Sequence, residues 1–425
     1  MMGKSILYTV SNGLCTGCGI CQGACPNTSI TMYVKSGRFL PVVDQKSCKN
    51  DKGCHRCYDI CPGVGVKLNC IAKEEFSGAD TFYNGKIGYY RKCFTGYSNS
   101  YNVRYHSASG GMVTQLLVWM LEKKLIDGAA VTAFSSKSEL LVHSFIATTK
   151  EEILFAKSSK YAPVTLNNII HDIKAREGKF VIVGLPCHIH GLRKYEKIDK
   201  KFKDKVFAYF GLYCSGSKSF YLTEYVLDKY NIDMKGLSYL SYRDEGCLGG
   251  MVAKGVDPQS KQSYRFYEDY QKYSHPLRSF FVPRRCLFCI DHFAELADIS
   301  FGDIHVMPYS LDKVGINSLV TRKSGMTELL YEAAGERAIS LSDLNEDVLL
   351  SSQIAVKQKK QRASTFIKID RILGRKVPKY DVKLDDSFVC RSVFSYGFNM
   401  LQQFVGNHKS LWSIISVLKK KTTID

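Results

Sequence analysis

Residues 15–26, CTGCGICQGACP, decide the fold of the first part of this chain. Their four cysteines follow the spacing C-x2-C-x2-C-x3-C-P, which is typical of proteins that hold cubane [4Fe-4S] clusters. Three thiolates on one tight loop can bind three irons of a single cluster, whereas the proline after Cys25 turns the chain away. The spacing therefore predicts that Cys25 binds a second cluster.

A second run, CKNDKGCHRCYDICP at residues 48–62, keeps the last three spacings and the proline. It has three extra residues between its first two cysteines. Because the fourth cysteine of each run crosses to the other cluster, the spacing predicts two mixed ligand sets. One set is Cys15, Cys18, Cys21 and Cys61, and the other is Cys48, Cys54, Cys57 and Cys25.

A pair of zinc knuckles is the alternative for this segment, since C-x2-C also suits zinc. The two C-x3-C-P endings argue against zinc. Residues 1–80 resemble a two-cluster ferredoxin over the full length of such a domain, which implies two [4Fe-4S] clusters.

The chain has 16 cysteines, and four of the remaining ones form a possible further site. Cys187 and Cys214 each end a strand-like stretch, and Cys286 and Cys289 form a C-x2-C hook. Because parallel strands place their carboxyl ends on one edge of a sheet, these four thiols can meet in one site. Two buried apolar cysteines and an unrelated pair are the alternative.

Composition narrows the class of protein. The chain has 425 residues, enough for two or three domains, and its 45% hydrophobic content is that of a globular protein. It contains no apolar run of the roughly 20 residues that a membrane span requires, and its start lacks the pattern of a secretory signal. We therefore expect a cytoplasmic, reducing location, where cysteines serve as metal ligands or catalytic groups.

The pattern after residue 90 is that of alternating strands and helices. Residues 106–129, HSASGGMVTQLLVWMLEKKLIDGA, read as one long helix capped by Ser107 or Ser109. FVIVGLPC and VFAYFGLYC read as parallel strands joined by a helix. Residues 351–425 carry 15 Lys and Arg against 5 Asp and Glu, so much of the net charge of +19 lies there.

Three motifs outside the cysteine runs suggest cofactor binding. The glycines after Ser107 could let a phosphate approach a helix start, although a simple tight turn is the alternative. The loop KSSKYAPV adds two lysines and Tyr161, or is merely a solvated loop. The strand-to-helix turn GLPCHIHGLRK adds Gly184, Arg193 and two histidines, His188 and His190.

Taken in order over residues 1–310, these motifs resemble the beta-subunit family of coenzyme F420-reducing hydrogenase and dehydrogenase. The resemblance implies FAD and strengthens the prediction of a third [4Fe-4S] cluster. It also makes Arg243 and Asp303 candidates for roles in the same cleft. The residues it implies for FAD are Ser109, Gly110, Gly111, Thr114, Lys157, Ser159 and Lys160, and the motifs themselves add Ser107, Gly184 and Arg193 as candidates for the same cofactor.

The expected fold class is α+β: a small ferredoxin-like domain, an α/β flavin-binding domain with a mixed sheet, and a basic, mainly helical extension. The expected boundaries are residues 1–80, 90–165 for the family's N-terminal region, 166–330 for its C-terminal region, and 331–425. Beyond residue 330 we match no family motif.

The expected function is electron transfer between a ferredoxin-like one-electron donor and a small-molecule substrate at FAD, through the clusters. The alternative is a non-catalytic electron-transfer subunit of a larger complex. His188, His190 and Tyr161 are the candidate proton donors.

The net charge predicts an acidic carrier, a ferredoxin or flavodoxin, as partner rather than nucleic acid, and an oligomer is possible. The C-terminal stretch SLWSIISVLKKK could contact an anionic membrane surface or pack on the body of the protein.

Overall fold

A computed structural model describes residues 4–135, 142–277, 279–353, 355–384 and 390–419. Its main feature is one mixed sheet of eight strands, in agreement with the expected mixed α/β architecture. The strands are β1 (Ile30–Lys35), β2 (Arg38–Val43), β3 (Gly65–Val66), β4 (Phe82–Asn84), β5 (Gly88–Tyr90), β6 (Lys92–Ser98), β7 (Gly128–Phe134), β8 (Val142–Ala147), β9 (Phe180–Gly184), β10 (Val206–Leu212), β11 (Leu237–Asp244), β12 (Gly250–Val256), β13 (Ser263–Asp269), β14 (Ile299–Asp303), β15 (Asn317–Thr321), β16 (Ile339–Asp343) and β17 (Lys379–Tyr380).

Helices cover the faces of this sheet and form the end of the chain. They are α1 (Leu7–Ser11), α2 (Ile20–Gly23), α3 (Arg56–Asp59), α4 (Leu68–Phe76), α5 (Tyr101–Tyr105), α6 (Met112–Glu122), α7 (Lys150–Phe155), α8 (Ile169–Lys174), α9 (Pro186–Glu196), α10 (Lys200–Lys205), α11 (Phe220–Lys229), α12 (Tyr270–Ser274), α13 (Arg284–Leu287), α14 (Ser324–Gly335), α15 (Glu346–Ser352), α16 (Ala355–Ile372), α17 (Cys390–Asn407) and α18 (Ile415–Leu418). In the part of the chain that the structure describes, no helix is both long and apolar enough to cross a membrane.

The strand order of the large sheet is β16-β6-β15-β14-β10-β9-β7-β8. β7, β9, β10 and β14 run parallel to one another, whereas the flanking pairs are antiparallel. The expected β-α-β unit is therefore present as β9-α9-β10, with its parallel strands in the middle of the sheet. Buried Val181, Ile182 and Phe210 from these strands lie in the apolar layers on the two faces.

The predicted long helix at residues 106–129 is wrong. The structure divides that region into a loop, which follows α5, then α6, a short connection and the start of β7. Gly111 precedes α6 with a φ of +73°, and Ser98 donates a backbone hydrogen bond to the carbonyl of Gly110. The loop is thus bonded to β6, and a continuous helix could not make this contact.

The predicted boundaries at residues 165 and 330 do not separate structural units. Strands from both sides of residue 165 pair in the large sheet, and residue 330 falls inside α14. β16, which lies beyond that boundary, pairs with β6. The sheet needs strands from residues 92 to 343, so the separate helical part begins only after it.

The end of the chain packs on the body, which was the alternative to membrane contact for SLWSIISVLKKK. Trp412 lies against the rings of Tyr221, Tyr225 and Phe281, and Lys409 pairs with Glu224. Ile415 is fully buried. Packing on the body, one of the two alternatives for this stretch, is therefore observed, whereas contact with a membrane stays untested; the last two lysines of the motif lie outside the described residues.

Candidate functional site

The carboxyl edge of the parallel strands gathers the chemistry-bearing residues. β9 ends at Gly184 just before Cys187, β10 ends at Leu212 just before Cys214, and β14 ends on Asp303. Cys214 is held there because its backbone N–H bonds the carbonyl of His292, in the loop that follows the C-x2-C hook. The sheet thus places both strand-end cysteines beside the hook.

The cysteines of the two N-terminal runs form two groups in space. After burial, the thiolates that most raise the pKa of Cys21 are those of Cys18, Cys15 and Cys61. We call these four the first cysteine group.

The pKa of Cys57 rises to about 11, first through burial and then through Cys25, Cys48 and Cys54. These four form the second cysteine group. The groups contain the same members as the two crossed ligand sets expected from the spacing, and their role as ligands stays a prediction.

The third cysteine group is Cys187, Cys214, Cys286 and Cys289. Burial raises the pKa of Cys187 well above its usual value. The thiolate of Cys18, in the first group, raises it further, followed by those of Cys214, Cys286 and Cys289. Four thiols from two strand ends and a hook therefore lie close together; the sheet topology accounts for the two strand-end cysteines, Cys187 and Cys214.

The three groups lie in series. Cys57 of the second group raises the pKa of Cys21 in the first, and Cys18 of the first group raises that of Cys187 in the third. The first group is therefore in the middle. The third group lies at the carboxyl edge of the sheet, and the second lies on the far side of the first.

The surroundings of these thiols suit an anionic cluster. Backbone N–H groups of Gly17, Ser29 and Gly63 donate to the sulfurs of Cys15, Cys25 and Cys61 at 3.3–3.4 Å. Such hydrogen bonds to sulfur stabilise bound clusters and tune their potentials. Among the described residues, no three His, Cys, Asp or Glu side chains meet where a single metal ion could be held.

Buried cations without a full set of partners face the cysteine groups. The Nε atoms of Arg38, Arg285 and Arg362 are buried and have no hydrogen-bond partner in the described structure. Arg38 interacts electrostatically with Cys15, and the other two interact with Cys286 and Cys289. A buried guanidinium N–H that has no hydrogen-bond partner and lies beside thiols fits a site that binds a negatively charged group.

Lys359, on α16, is the cation placed most directly at the third group. It is buried, and its ammonium donates to the carbonyl oxygens of Cys214, at 2.6 Å, and Asp291. Sequence reasoning missed this residue, because nothing in the pattern around it distinguishes it from the surface lysines of the same helix.

A cluster of tyrosines surrounds the ion pair between Arg243 and Asp303. Tyr161 packs on Tyr270, and the Arg243 guanidinium lies 5.0 Å from the centre of the Tyr270 ring. Burial alone would raise the pKa of Asp303, but Arg243 outweighs that effect and holds the pKa below its usual value. Burial, and then Tyr270, raise the pKa of Tyr161, so this phenol keeps its proton at neutral pH.

The loop with Lys157, Ser159 and Lys160 is joined to the same edge. Ser158 donates to the backbone carbonyl of Arg243. The Lys160 ammonium is already occupied, because it donates to the carbonyls of Ala156, Lys157 and Ser158, and burial lowers its pKa to about 7. No hydrogen bond or ion pair of the Lys157 or Ser159 side chain occurs within the described residues, so both remain available to a ligand.

The serines and glycines before α6 are largely engaged by the protein. The hydroxyls of Ser107 and Ser109 donate to the carbonyls of Val103 and Ile316. A Cβ on Gly110 would lie 2.6 Å from the Gly96 carbonyl oxygen, so the glycine is needed for packing on β6. Thr114 lies in the first turn of α6 and is mostly buried.

The two histidines predicted as proton donors are buried and bonded within the protein. His188 accepts a hydrogen bond from the Leu185 N–H at Nδ1 and donates from Nε2 to the carbonyl of Val164. Burial lowers its pKa to about 4, so the ring is neutral. His190 bonds Asp291 at 2.8 Å. Gly184 is required by close packing, since a Cβ there would lie 3.1 Å from that of His188.

Arg193 lies at the wrong end of the sheet for the cofactor role expected of it. It forms buried ion pairs with Glu196 and with Asp298, the residue just before β14. Its guanidinium also lies 4.5 Å from the centre of the Tyr209 ring. Asp298 precedes β14 and Asp303 ends it. The five residues of β14 therefore separate Arg193 from the carboxyl edge of the sheet by about 16 Å.

We expect Arg193→Met to destabilise the fold by about 3 kcal/mol, because it leaves the buried Glu196 without its cation and leaves Asp298 with Lys323 alone. Thermal unfolding followed by circular dichroism measures this effect. Arg176→Met, which removes a surface arginine, is the matched control. A visible absorption spectrum that changes before the protein unfolds would place Arg193 in the redox site instead.

Profiles of known families match three parts of the chain. Two of them describe the coenzyme F420 hydrogenase/dehydrogenase beta subunit: the profile of its N-terminal part matches residues 93–171, and that of its C-terminal part matches residues 177–347. A 4Fe-4S binding domain matches residues 8–31. The two beta-subunit profiles meet within the large sheet, and α16 and α17 lie beyond them.

Curated relatives come from methanogens. A coenzyme F420-dependent sulfite reductase of Methanocaldococcus jannaschii is 26% identical over 69% of this chain, which spans 42% of that longer protein. A coenzyme F420 hydrogenase subunit beta of Methanococcus voltae is 24% identical over 69% of this chain and 99% of its own length.

One solved structure shares the fold. It belongs to the F420-reducing [NiFe] hydrogenase complex of Methanosarcina barkeri and aligns with a TM-score of 0.52 at 19% identity. The alignment covers 70% of this chain and 98% of that one.

Proposed function

The chain belongs to the coenzyme F420 hydrogenase/dehydrogenase beta-subunit family, and on that premise we propose that it is an iron–sulfur flavoprotein oxidoreductase. It would pass electrons between a one-electron carrier and a small-molecule substrate. The similar proteins named as F420-dependent reductase and hydrogenase subunits support an oxidoreductase role.

The observation that carries this proposal is the series of three cysteine groups. Each offers four thiols, which is the ligand number of a [4Fe-4S] cluster. The first and third groups are close enough for Cys18 to act on Cys187, and the third lies at the edge of the sheet where Arg243 and Asp303 sit. Redox groups in series that end at a cleft are the arrangement expected of an electron path.

FAD is the proposed cofactor of that cleft. A bound flavin would supply both hydride and single-electron chemistry, which clusters alone do not. Lys157 and Ser159 fit its diphosphate, because they lie beside the cleft and their side chains are not engaged within the described protein. The serines before α6 fit less well, because their hydroxyl protons are used by the protein.

The chain's own residues provide a proton donor. Tyr161 is preferred over His188 and His190, because both histidines bond protein groups. Burial and Tyr270 raise the pKa of Tyr161, and the charge of Arg243 offsets only part of that rise. Tyr161 would therefore hold its proton at neutral pH and give it only to a substrate that becomes strongly basic on gaining electrons.

Anaerobic purification with iron, zinc and flavin analysis tests the proposal. We expect about twelve irons and one FAD per chain, with a broad visible band. About eight irons would remove the third cluster, whereas zinc without a visible band would overturn the proposal. Iron without flavin would leave an electron-transfer protein.

The second candidate is an electron-transfer subunit within a larger complex. It is favoured by one observation: this chain covers 98% of a chain from a hydrogenase complex. Co-purification of further subunits with the native protein would support it. As an independent oxidoreductase, the protein would use an acidic ferredoxin or flavodoxin, drawn by its net charge of +19.

A further inference from the structure

A narrow crevice in the protein surface reaches the first cysteine group, and we call it the Cys15 crevice. Its walls include Cys15, Arg38 and Phe39 from the N-terminal part of the chain and Ser217, Lys218 and Pro283 from the rest. Its volume of ≈ 10 Å³ holds about one water-sized group. The tip of a side chain can therefore enter the crevice, whereas a cofactor cannot.

Cys15 is the member of the first group that lies nearest the surface. It is partly exposed, whereas Cys18, Cys21 and Cys61 are buried, with only 6–7% of each residue exposed. A molecule outside the protein therefore approaches this group most closely at Cys15.

The walls of the crevice carry positive charge. Arg38 and Lys218 are its two cations, and no Asp or Glu lies among the residues that line it. The Nε atom of Arg38 is buried without a hydrogen-bond partner, and no ion pair of its guanidinium occurs within the described residues. A buried donor that lacks a partner costs free energy unless a ligand accepts its hydrogen. The crevice thus fits a negatively charged oxygen atom.

The crevice lies between the first and third cysteine groups. Cys15 forms one side of it. On the other side, the backbone of Ser217 hydrogen-bonds the sulfur of Cys286, and a Cβ on the neighbouring Gly216 would lie 3.8 Å from the Cβ of Cys286. An electron that enters here can reach the third group without passing the second.

Both walls of the crevice are held in place by packing. The turn between β1 and β2 is fixed because the N–H of Phe220 donates to the carbonyl of Gly37 at 2.8 Å. The rings of Phe39 and Phe220 also pack edge to face, with centres 5.5 Å apart. Arg38 and Lys218 flank these contacts, so their charges are positioned before a partner arrives, which lowers the cost of binding.

The surface at the second cysteine group carries charges of both signs. Exposed Lys46, Lys49 and Lys52 lie in its loop, but exposed Asp44 and Asp51 lie among them. Mixed charges attract an acidic partner less strongly than cations alone. The Cys15 crevice is therefore the better match for such a partner.

We propose that an acidic one-electron carrier protein docks at the Cys15 crevice, where one of its carboxylates pairs with Arg38. One electron then passes from the carrier to the cluster of the first group. The carrier is oxidised by one electron and the cluster is reduced by one, while no bond forms or breaks. This inference rests on the proposed function, because it requires a cluster at Cys15.

Stopped-flow reduction of the full chain by reduced flavodoxin, an acidic one-electron donor, tests the proposal. Bleaching of the cluster absorbance follows the transfer, and reduced methyl viologen, a small cationic donor, is the reference. R38Q/K218Q should lower the second-order rate constant with flavodoxin roughly tenfold or more, because it removes both cations that attract the carboxylate. Its rate with methyl viologen should stay near the original value.

The matched control is K49Q/K52Q, which removes two exposed cations beside the second group and should keep the original rate with flavodoxin. High salt should slow the original chain toward the rate of R38Q/K218Q. K218Q alone leaves Arg38 beside Cys15 and should show a smaller loss, again with flavodoxin only. It keeps the test valid if the double variant loses iron.

Equal flavodoxin rates for the original chain and the crevice variants overturn the proposal. A larger loss in K49Q/K52Q also overturns it, because electrons would then enter at the second group. An equal loss with both donors would mean that the crevice cations only balance the charge of the cluster, which overturns docking as well. A chain that binds no iron refutes the proposed function itself, so iron analysis distinguishes the two failures.

Discussion

Cys187→Ser lowers the iron content from about twelve to about eight atoms per chain, because it removes one ligand of a single proposed [4Fe-4S] cluster. The same change should stop electrons from reaching the substrate, since the third cysteine group lies between the first group and the cleft. Iron analysis of the anaerobic protein measures the first effect. The rate of substrate reduction by a one-electron donor measures the second.

Cys70→Ser is the matched control, because Cys70 is exposed on α4 and belongs to none of the three groups. It should retain all the iron. A Cys187→Ser protein that still holds about twelve irons would remove Cys187 from the ligands. A loss of about eight irons would mean that the first and third groups cannot assemble separately.

Lys359→Gln lowers the reduction potential of the cluster at the third group by on the order of 100 mV. A reduced cluster carries one more negative charge, and the buried ammonium at the Cys214 carbonyl stabilises it. A unit charge about 7 Å away contributes roughly 2 kcal/mol at an effective dielectric constant of about 20. That energy corresponds to the stated shift for one electron. Potentiometric titration followed by electron paramagnetic resonance measures it.

Two variants make this result specific. Lys359→Arg keeps the charge and should keep the potential near its original value. Lys360→Met removes the next lysine along α16, which pairs with Glu295, and should shift the potential much less. If Lys359→Gln leaves the potential unchanged while the iron remains bound, then the lysine only supports the packing of α16.

Several parts of the site were predictable because they follow from spacing. Cys25 and Cys61 lie in the groups opposite to their own runs, as the C-x3-C-P endings predict. Cys187 and Cys214 lie together because each follows a parallel strand, and the alternation of strands and helices is visible in the sequence.

Other residues were misjudged because their roles depend on contacts distant in sequence. Arg193 looked like part of the cofactor turn, but its partner Asp298 comes 105 residues later. His188 looked like a proton donor, and only its contact with the carbonyl of Val164 shows how it is bonded. The long helix predicted to begin at Ser107 or Ser109 failed because both serines lie in a loop that bonds to β6 through Gly110.

The sequence by itself determined the cysteine groupings of the N-terminal runs, the parallel strands and the family resemblance, since each depends on spacing within a short stretch. Tertiary structure alone decided the order of the three groups and the position of Lys359 beside the third group. The physical reason is that a local sequence pattern determines only the contacts between residues that are close along the chain. Burial and electrostatic contact depend on which distant segments the folded sheet and helices bring together.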